Sequence, residues 1–294
     1  MILKGIIHFN RLLNMDKAEI KCRFRRSVES YEENAAVQKR IAGRLFQLVE
    51  KYAENTLFRM LEVGCGTGLL TRKLKERQGN HVLIINDLVE EMCRKTSAAC
   101  GIEHNSCLVG DIESVALPGT FNAIVSSSTF QWLNSPEVVF KKFARHLAKE
   151  GILAFSTFGK DNLYELKTIT HQGLVYPDRF ELSAFLAKDF EILYTEETKH
   201  TLYFSDPLEI IRHMKRTGVN AVGRADTWTK GRLERFCAEY RLLFSTPRGY
   251  PLTYHPLYFV CRKKKDVQDG MNAVPVYSLS NAKTDCITLN SGAI

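Results

Sequence analysis

Three glycines, a few carboxylates at the ends of apolar stretches, and a run of hydroxyl side chains carry the chemistry legible in this 294-residue sequence. In Met60-Leu-Glu-Val-Gly-Cys-Gly-Thr-Gly-Leu-Leu70, Gly64, Gly66 and Gly68, with Cys65 among them, separate an apolar stretch ending at Val63 from a helix-forming stretch starting at Leu69. Glycine tolerates positive φ and lets a ligand approach the backbone, which a strand-to-helix nucleotide loop needs. The G-x-G-x-G spacing is not the dinucleotide pattern, and no Gly-Lys-Ser/Thr follows, so a triphosphate loop is not expected. Glu62 aims a carboxylate at the turn, a poor neighbour for a pyrophosphate and a good one for a cation. Asp87 lies about twenty residues beyond the loop, where an acid accepts from both ribose hydroxyls. Capping a helix from Leu88 onward is the other reading, and one Asp can do both. Asp111 sits at a corresponding place after a third apolar stretch, able to accept from an adenine amino group with Ile112 packed on the ring; a plain surface turn is the alternative. Ser126-Ser-Ser-Thr-Phe-Gln-Trp132 closes a fourth stretch. Ser127 leaves room for a ligand there, and Phe130 and Trp132 offer aromatic walls, although a tryptophan is more often core. No Ser-His-Asp order, metal-binding His pair or Asn-Pro-Pro-Tyr nucleobase signature occurs at this strand end.

Elements that must position these residues follow from periodicity. Strands are expected at 59–63, 81–86, 105–109, 121–126 and 151–158, with helices from 69, over 88–99 and after Ser135-Pro136-Glu137. In the last, Ser135 reads as cap and Pro136 as first helical residue, and Val139, Phe143 and Leu147 form the inner stripe. Before them, 28–50 carries Val37, Ile41, Leu45 and Leu48 at helical spacing, preceded by Lys21, Arg23, Arg25 and Arg26, read as a solvated face. Alternation of strand and helix implies an α/β fold with a doubly wound sheet. Further on, 162–172 and 180–188 read as helical, 190–204 as one long strand or a hairpin, and 254–262 as a strand. Asp206-Pro-Leu-Glu209 reads as a capping box opening a helix with Leu208, Ile211 and Met214 inward and Arg212, Lys215 and Arg216 outward. Another helix is expected at 230–243. The expected organisation is an N-terminal extension (1–23), one domain (24–265) with an N-terminal lid helix and a helical insertion at about 206–248, and a polar, disordered tail (266–294).

A chain of this length buries a full core, and 45% hydrophobic with 25% charged residues is the balance of a soluble globular protein. No apolar run approaches the roughly 18 residues of a spanning helix. Residues 1–15 lack the block structure of a signal peptide, and Met15 is an alternative initiator. Eight cysteines without a C-x-x-C pair point to a reduced, cytoplasmic protein without structural metal. A net charge of +8 favours an acidic partner, which leaves nucleic acid, an anionic membrane and an acidic protein open.

Glu62 to Leu70, Asp87, Gly110-Asp111 and Phe130-Gln-Trp132 together resemble a class I S-adenosylmethionine-dependent methyltransferase over about 38–158. A narrower resemblance spans about 24–262. Phe24-Arg-Arg-Ser-Val-Glu-Ser-Tyr-Glu-Glu-Asn-Ala-Ala-Val-Gln38, Thr129-Phe-Gln-Trp-Leu133, Phe155 to Leu166 and Asp206 to Ala221 are similar to the malonyl-acyl-carrier-protein O-methyltransferases of biotin synthesis. Asn86 before Asp87 and the long tail depart from that pattern. The resemblance implies a Rossmann-like fold, S-adenosyl-L-methionine as cofactor, and a malonyl-loaded acyl-carrier protein or malonyl-coenzyme A as substrate. It implies no membrane and no nucleic-acid partner. Tyr31 and Gln38 are the lid residues expected to reach the methyl donor or substrate. Arg212, Lys215 and Arg216 would meet the acidic carrier, with a solvated face as the alternative. A carboxylate substrate is already ionised at neutral pH, so positioning can replace a general base. A small-acid methyltransferase of the trans-aconitate type, a nucleic-acid methyltransferase and a non-catalytic cofactor-fold module are the other readings. The missing nucleobase signature and absent RNA-binding module count against the nucleic-acid one.

Overall fold

The computed structural model describes residues 15–53, 58–77, 81–218 and 228–265. Expectations for residues 1–14, Val219 to Ala221 and the 266–294 tail lie outside the described residues. Among the described residues seven strands form the main sheet in the order β3-β2-β1-β4-β5-β9-β6: β1 (Phe58–Val63), β2 (His81–Asp87), β3 (Cys107–Val109), β4 (Phe121–Ser127), β5 (Leu147–Phe158), β6 (Phe190–Glu197) and β9 (Pro256–Lys263). The first five pair in parallel, and β9 runs antiparallel between β5 and β6.

Side chains of a strand alternate between the two sheet faces, and the core divides accordingly. Met60, Ala123, Val125, Ile152, Ala154, Tyr258 and Val260 join one cluster, and Leu61, Ile124, Leu153, Phe155, Leu257 and Phe259 join the other. On the first face lie α3 (Ala36–Tyr52), α4 (Leu69–Glu76) and α5 (Glu90–Cys100), with Val37, Ile41, Leu45 and Leu48 buried as their spacing requires. The second face carries α6 (Pro136–His146) and α8 (Arg179–Leu186).

Local signals located the elements better than their ends. The basic segment expected to be a solvated face does expose Lys21, Arg25 and Arg26, and it does so on a helix, α1 (Lys17–Ser27), capped by the Asp16 side chain, which accepts from the Ala18 and Glu19 N–H groups. The expected 28–50 helix is instead a short α2 (Tyr31–Asn34) followed by α3. Ser135 makes no side-chain cap; its own N–H donates to Glu113 Oε1 at 2.6 Å, so the loop after β3 holds the start of α6. A 3-10 turn at His104–Ser106 takes the first part of the expected third strand.

Past β5 come α7 (Tyr164–Thr170), α8 and β6. The stretch 190–204 is neither one strand nor a hairpin. After β6 the chain leaves for β7 (His200–Phe204), which pairs with β8 (Tyr250–Tyr254) in a separate two-stranded sheet. Between them lie α9 (Pro207–Arg216) and α10 (Lys230–Phe244), so the insertion brings its own sheet as well as its helices. Asp206 caps α9 by accepting from the Leu208 N–H at 2.8 Å. Glu209 does not close a capping box on Asp206; it accepts from the Ser205 N–H and hydroxyl at 3.1 and 3.0 Å. Among the described residues no helix is long and apolar enough to cross a membrane.

Candidate active site

Strands β1, β2, β3 and β4 end along one edge of the sheet, at Val63, Asp87, Val109 and Ser127, and the loops leaving them build two joined clefts. The larger, about 780 Å³, is lined by Asp87, Leu88, Gly110, Asp111, Ile112 and Trp132 and roofed by Lys17, Ile20 and Phe24 of α1. The smaller, about 330 Å³, is lined by Gln38, Glu62, Cys65, Thr67 and Leu70. Tyr31, Gly64, Gly66, Ser127 and Ser128 belong to both.

The glycine loop owes its shape to neighbours as much as to glycine. Gly64 has φ +71°, and a Cβ there would run into the Thr129 side chain. Its N–H and that of Cys65 donate to Asn86 O at 2.8 and 2.9 Å. The Gly66 N–H donates to Asp87 Oδ2 at 2.8 Å, and Gly66 O accepts from Thr96 Oγ1 at 2.7 Å. Gly68 lines neither cleft; at φ +87° it begins α4. Asn86, the departure within the second strand, turns to the other side and donates from Nδ2 to Leu108 O and Gly110 O at 2.7 and 3.0 Å, tying β2 to the loop after β3. Cys65 is a filler rather than a nucleophile: the adjoining Cys93 thiol and burial hold its own thiol well above the ordinary range.

Alternation along β1 puts Glu62 on the face of Met60, beneath α3 and its Gln38. Glu62 is 1% exposed, and its Oε2 has no hydrogen-bond partner. Burial pushes the carboxyl up to about 8, and the Asp87 charge pushes the same way. Gln38, 5% exposed in the same cleft, also presents an unpartnered acceptor, Oε1. Two orphaned buried acceptors facing one small space suit a cation with several protons.

Asp87 is both helix-end anchor and site residue. Oδ1 accepts from the Val89 N–H at 2.8 Å while Oδ2 holds Gly66, and a carboxylate oxygen can accept more than one hydrogen bond. Burial pushes its carboxyl up to about 6, against the pull of these backbone donors. Beside it, the Tyr31 hydroxyl is held protonated, its pKa well above the usual range through burial and the Asp87 charge. Asp111 makes an Asx turn, accepting from the Glu113 N–H at 3.0 Å, and stands 3.5 Å from Lys17 Nζ.

Phe130 must be corrected. The Phe130–Trp132 3-10 turn drives its ring into the second core cluster, 4.9 Å from Phe155 and 5.3 Å from Phe140, away from both clefts. Trp132 stays at the cleft wall, with Phe24 edge-on at 5.5 Å. Ser126 is buried and donates to Val63 O at 2.9 Å, leaving Ser127 and Ser128 as the wall. Arg212, Lys215 and Arg216 line neither cleft and are exposed on α9. The last turn of α9 reaches the turn between α1 and α2, where Ser30 Oγ donates to Arg216 O at 3.1 Å.

Several lining residues gave no readable signal. Lys17 bridges α1 to the cleft floor through Asp111, Glu113 at 2.5 Å and Trp132 O at 2.8 Å, yet reads as one more surface lysine. Ser128 holds φ +55°, an uncommon conformation for a serine, with its hydroxyl buried and unpartnered. Only its place in a serine run pointed to it.

A methyltransferase domain model matches residues 61–155. A Bacteroides thetaiotaomicron protein named malonyl-[acyl-carrier protein] O-methyltransferase is 37% identical over 260 residues, covering 85% of this chain and all of its own. A Calditerrivibrio nitroreducens protein of the same name is 40% identical over 247 residues, covering 84% and 97%. A solved structure of a Bacillus halodurans protein superimposes with a TM-score of 0.55 at 16% identity, over 74% of this chain and 98% of that one, a likeness of fold.

Proposed function

Because the chain belongs to the malonyl-[acyl-carrier protein] O-methyltransferase family, it is a methyltransferase, and we propose that it methylates the free carboxylate of a malonyl group carried by an acyl-carrier protein. The observation that carries this reading is a match over 85% of this chain and the full length of a relative so named. S-adenosylmethionine supplies an electrophilic methyl group when bound. The donor set fits it: Asp87 offers acceptors for the ribose, Asp111 and Ile112 an edge and a face for the adenine, and Glu62 and Gln38 the two unpartnered acceptors an ammonium needs.

This chain's residues then have three tasks. A malonyl carboxylate, with a pKa of roughly 4, arrives ionised, so no side chain has to remove a proton. Tyr31, at the junction of the clefts and held protonated, is the donor we assign to orienting that carboxylate. The lid formed by α1 and α2 keeps water from a nucleophile that hydration would weaken, and holds the reactants at reacting distance. Arg212, Lys215 and Arg216 supply the exposed basic face for an acidic carrier.

Transfer of labelled methyl from S-adenosylmethionine should be tested with malonyl-acyl-carrier protein, malonyl-coenzyme A, trans-aconitate and tRNA as acceptors. Base-labile label on the malonyl thioesters, strongest on the carrier-bound one, is the expected result. Label in trans-aconitate or tRNA with none in either thioester would overturn the assignment.

A further inference from the structure

Ser128 lies just past β4, among the residues shared by the two clefts. It holds φ +55°, a conformation that strains a residue with a Cβ, and its hydroxyl is buried without a partner. Neighbours on both sides keep the backbone there. The Ser128 N–H donates to Ser156 O at 3.0 Å and to Ser156 Oγ at 3.1 Å, and Ser156 is wholly buried in β5. The Ser128 carbonyl accepts from Gln131 Nε2 at 2.6 Å. A backbone pinned at both ends in a sparsely populated conformation, with an unsatisfied hydroxyl on a cleft wall, marks a position built for a ligand.

The charges of the proposed reaction say what such a donor is for. An oxygen of the acceptor carboxylate bonds to the methyl carbon as the carbon–sulfur bond breaks, and the electron pair of that bond passes to sulfur. One negative and one positive charge vanish together, and no proton moves. A cation held against the carboxylate would stabilise the reactant more than the transition state and so slow the step. Neutral donors lose less as the charge fades. Among the described residues lining the clefts, Lys17 is the sole lysine or arginine, and it is engaged by Asp111, Glu113 and Trp132 O.

Hydroxyl groups remain. Thr67, whose hydroxyl is also buried and unpartnered, lines the smaller cleft only and suits the methionine carboxylate of the cofactor. Ser127 Oγ already accepts from Ser156 Oγ at 3.4 Å. Tyr31 and Ser128 both stand where the clefts meet. That place lies between the residue assigned to the ribose and those assigned to the ammonium, the two groups that the sulfur joins.

We propose that Ser128 is a catalytic residue whose hydroxyl donates to the acceptor carboxylate, so that Ser128 and the Tyr31 hydroxyl of the lid hold its two oxygens by uncharged hydrogen bonds. Each oxygen keeps a further lone pair for attack. Two donors fix the plane of the carboxylate, where one would leave it free to turn about its carbon–carbon bond. This role rests on the malonyl reading above and deepens it, because it names how a carboxylate is chosen without a cation.

The test is calorimetric titration of protein saturated with S-adenosylhomocysteine, using malonyl-pantetheine and isovaleryl-pantetheine, in which an isopropyl group takes the place of the carboxylate. The wild type should prefer the malonyl ligand about tenfold or more. Ser128→Ala removes the hydroxyl and keeps the Cβ, whereas Ser128→Gly removes it and accepts a positive φ freely. Both should cut the preference about fivefold or more and kcat on malonyl-pantetheine about tenfold or more, with affinities for isovaleryl-pantetheine and S-adenosylhomocysteine within about twofold of wild type. A Ser128→Gly protein that keeps both preference and turnover would show that the residue serves only the backbone, and would overturn the proposal. Loss of S-adenosylhomocysteine affinity matching the loss for the malonyl ligand would place the hydroxyl on the cofactor and overturn it as well. A wild type that binds S-adenosylhomocysteine but methylates no malonyl thioester would overturn the proposed function itself, and this role with it.

Discussion

Loading the smaller cleft should expel a proton from Glu62. In the unliganded protein the carboxyl is buried without a partner at Oε2 and its pKa stands at about 8, against 4.5 for a free side chain. At about 1.4 kcal/mol per pH unit, that rise places about 5 kcal/mol against the ionised form, and about nine carboxyls in ten carry a proton at pH 7. An ammonium brought against Oε2 reverses the preference, since opposite charge at contact favours ionisation. Binding of S-adenosylhomocysteine should therefore release close to one proton between pH 6 and 7.5, a window in which the ligand's own amino group stays protonated. Affinity should climb up to about tenfold per pH unit across it. Calorimetry in two buffers of different ionisation enthalpy reads the proton directly. Glu62→Gln should abolish the release and flatten the pH profile.

Stability supplies an independent check. The folded pKa of Glu62 lies above the unfolded one, so its contribution is fully present below about 4.5 and is lost as pH rises through about 8. Unliganded Glu62→Gln should thus gain on the wild type with rising pH, by up to about 5 kcal/mol at pH 9 relative to pH 4. Identical binding enthalpies in both buffers, together with a flat affinity profile, would show that Glu62 is ionised before the ligand arrives and would refute the reasoning.

Asp87→Ala removes the acceptors for the Gly66 and Val89 N–H groups as well as for the ribose, and should weaken S-adenosylhomocysteine binding by about 1–3 kcal/mol by calorimetry. Lys17→Ala releases the α1 contacts to Asp111, Glu113 and Trp132 O; stopped-flow should show ligand dissociation several-fold faster, and an unchanged rate would mean that α1 does not close the cleft. Phe130→Leu should cost about 1–2 kcal/mol in denaturant unfolding and leave ligand affinity within about twofold, in keeping with a ring packed on Phe140 and Phe155. Replacing Arg212, Lys215 and Arg216 together with Glu should raise KM for the carrier-bound malonyl substrate at least tenfold while a malonyl-pantetheine substrate is hardly affected, and added salt should imitate the change in the wild type.

Residues that act through local geometry were readable in the sequence. A glycine turn between an apolar strand and a helix, an acid ending the next strand, and alternating strand and helix periods each depend on a few consecutive residues, and they located the sheet, the clefts and part of their lining. From β1 to β5 the chain order of strands and helices was sound for the same reason, while their ends drifted. What separates Phe130 from Trp132, one in the core and one on the cleft wall, is a single 3-10 turn that no spacing announced. Lys17 carried no signal because the acceptors that hold it, Asp111, Glu113 and Trp132 O, come from loops far along the chain. The split of 190–204 into two sheets depended on β9 and β8, strands contributed from the far end of the chain. Glu62 and Asp87 could be named from sequence, but not their protonation. A pKa is moved by the water a side chain loses and the charges brought beside it, and both are set only when distant segments close over the site.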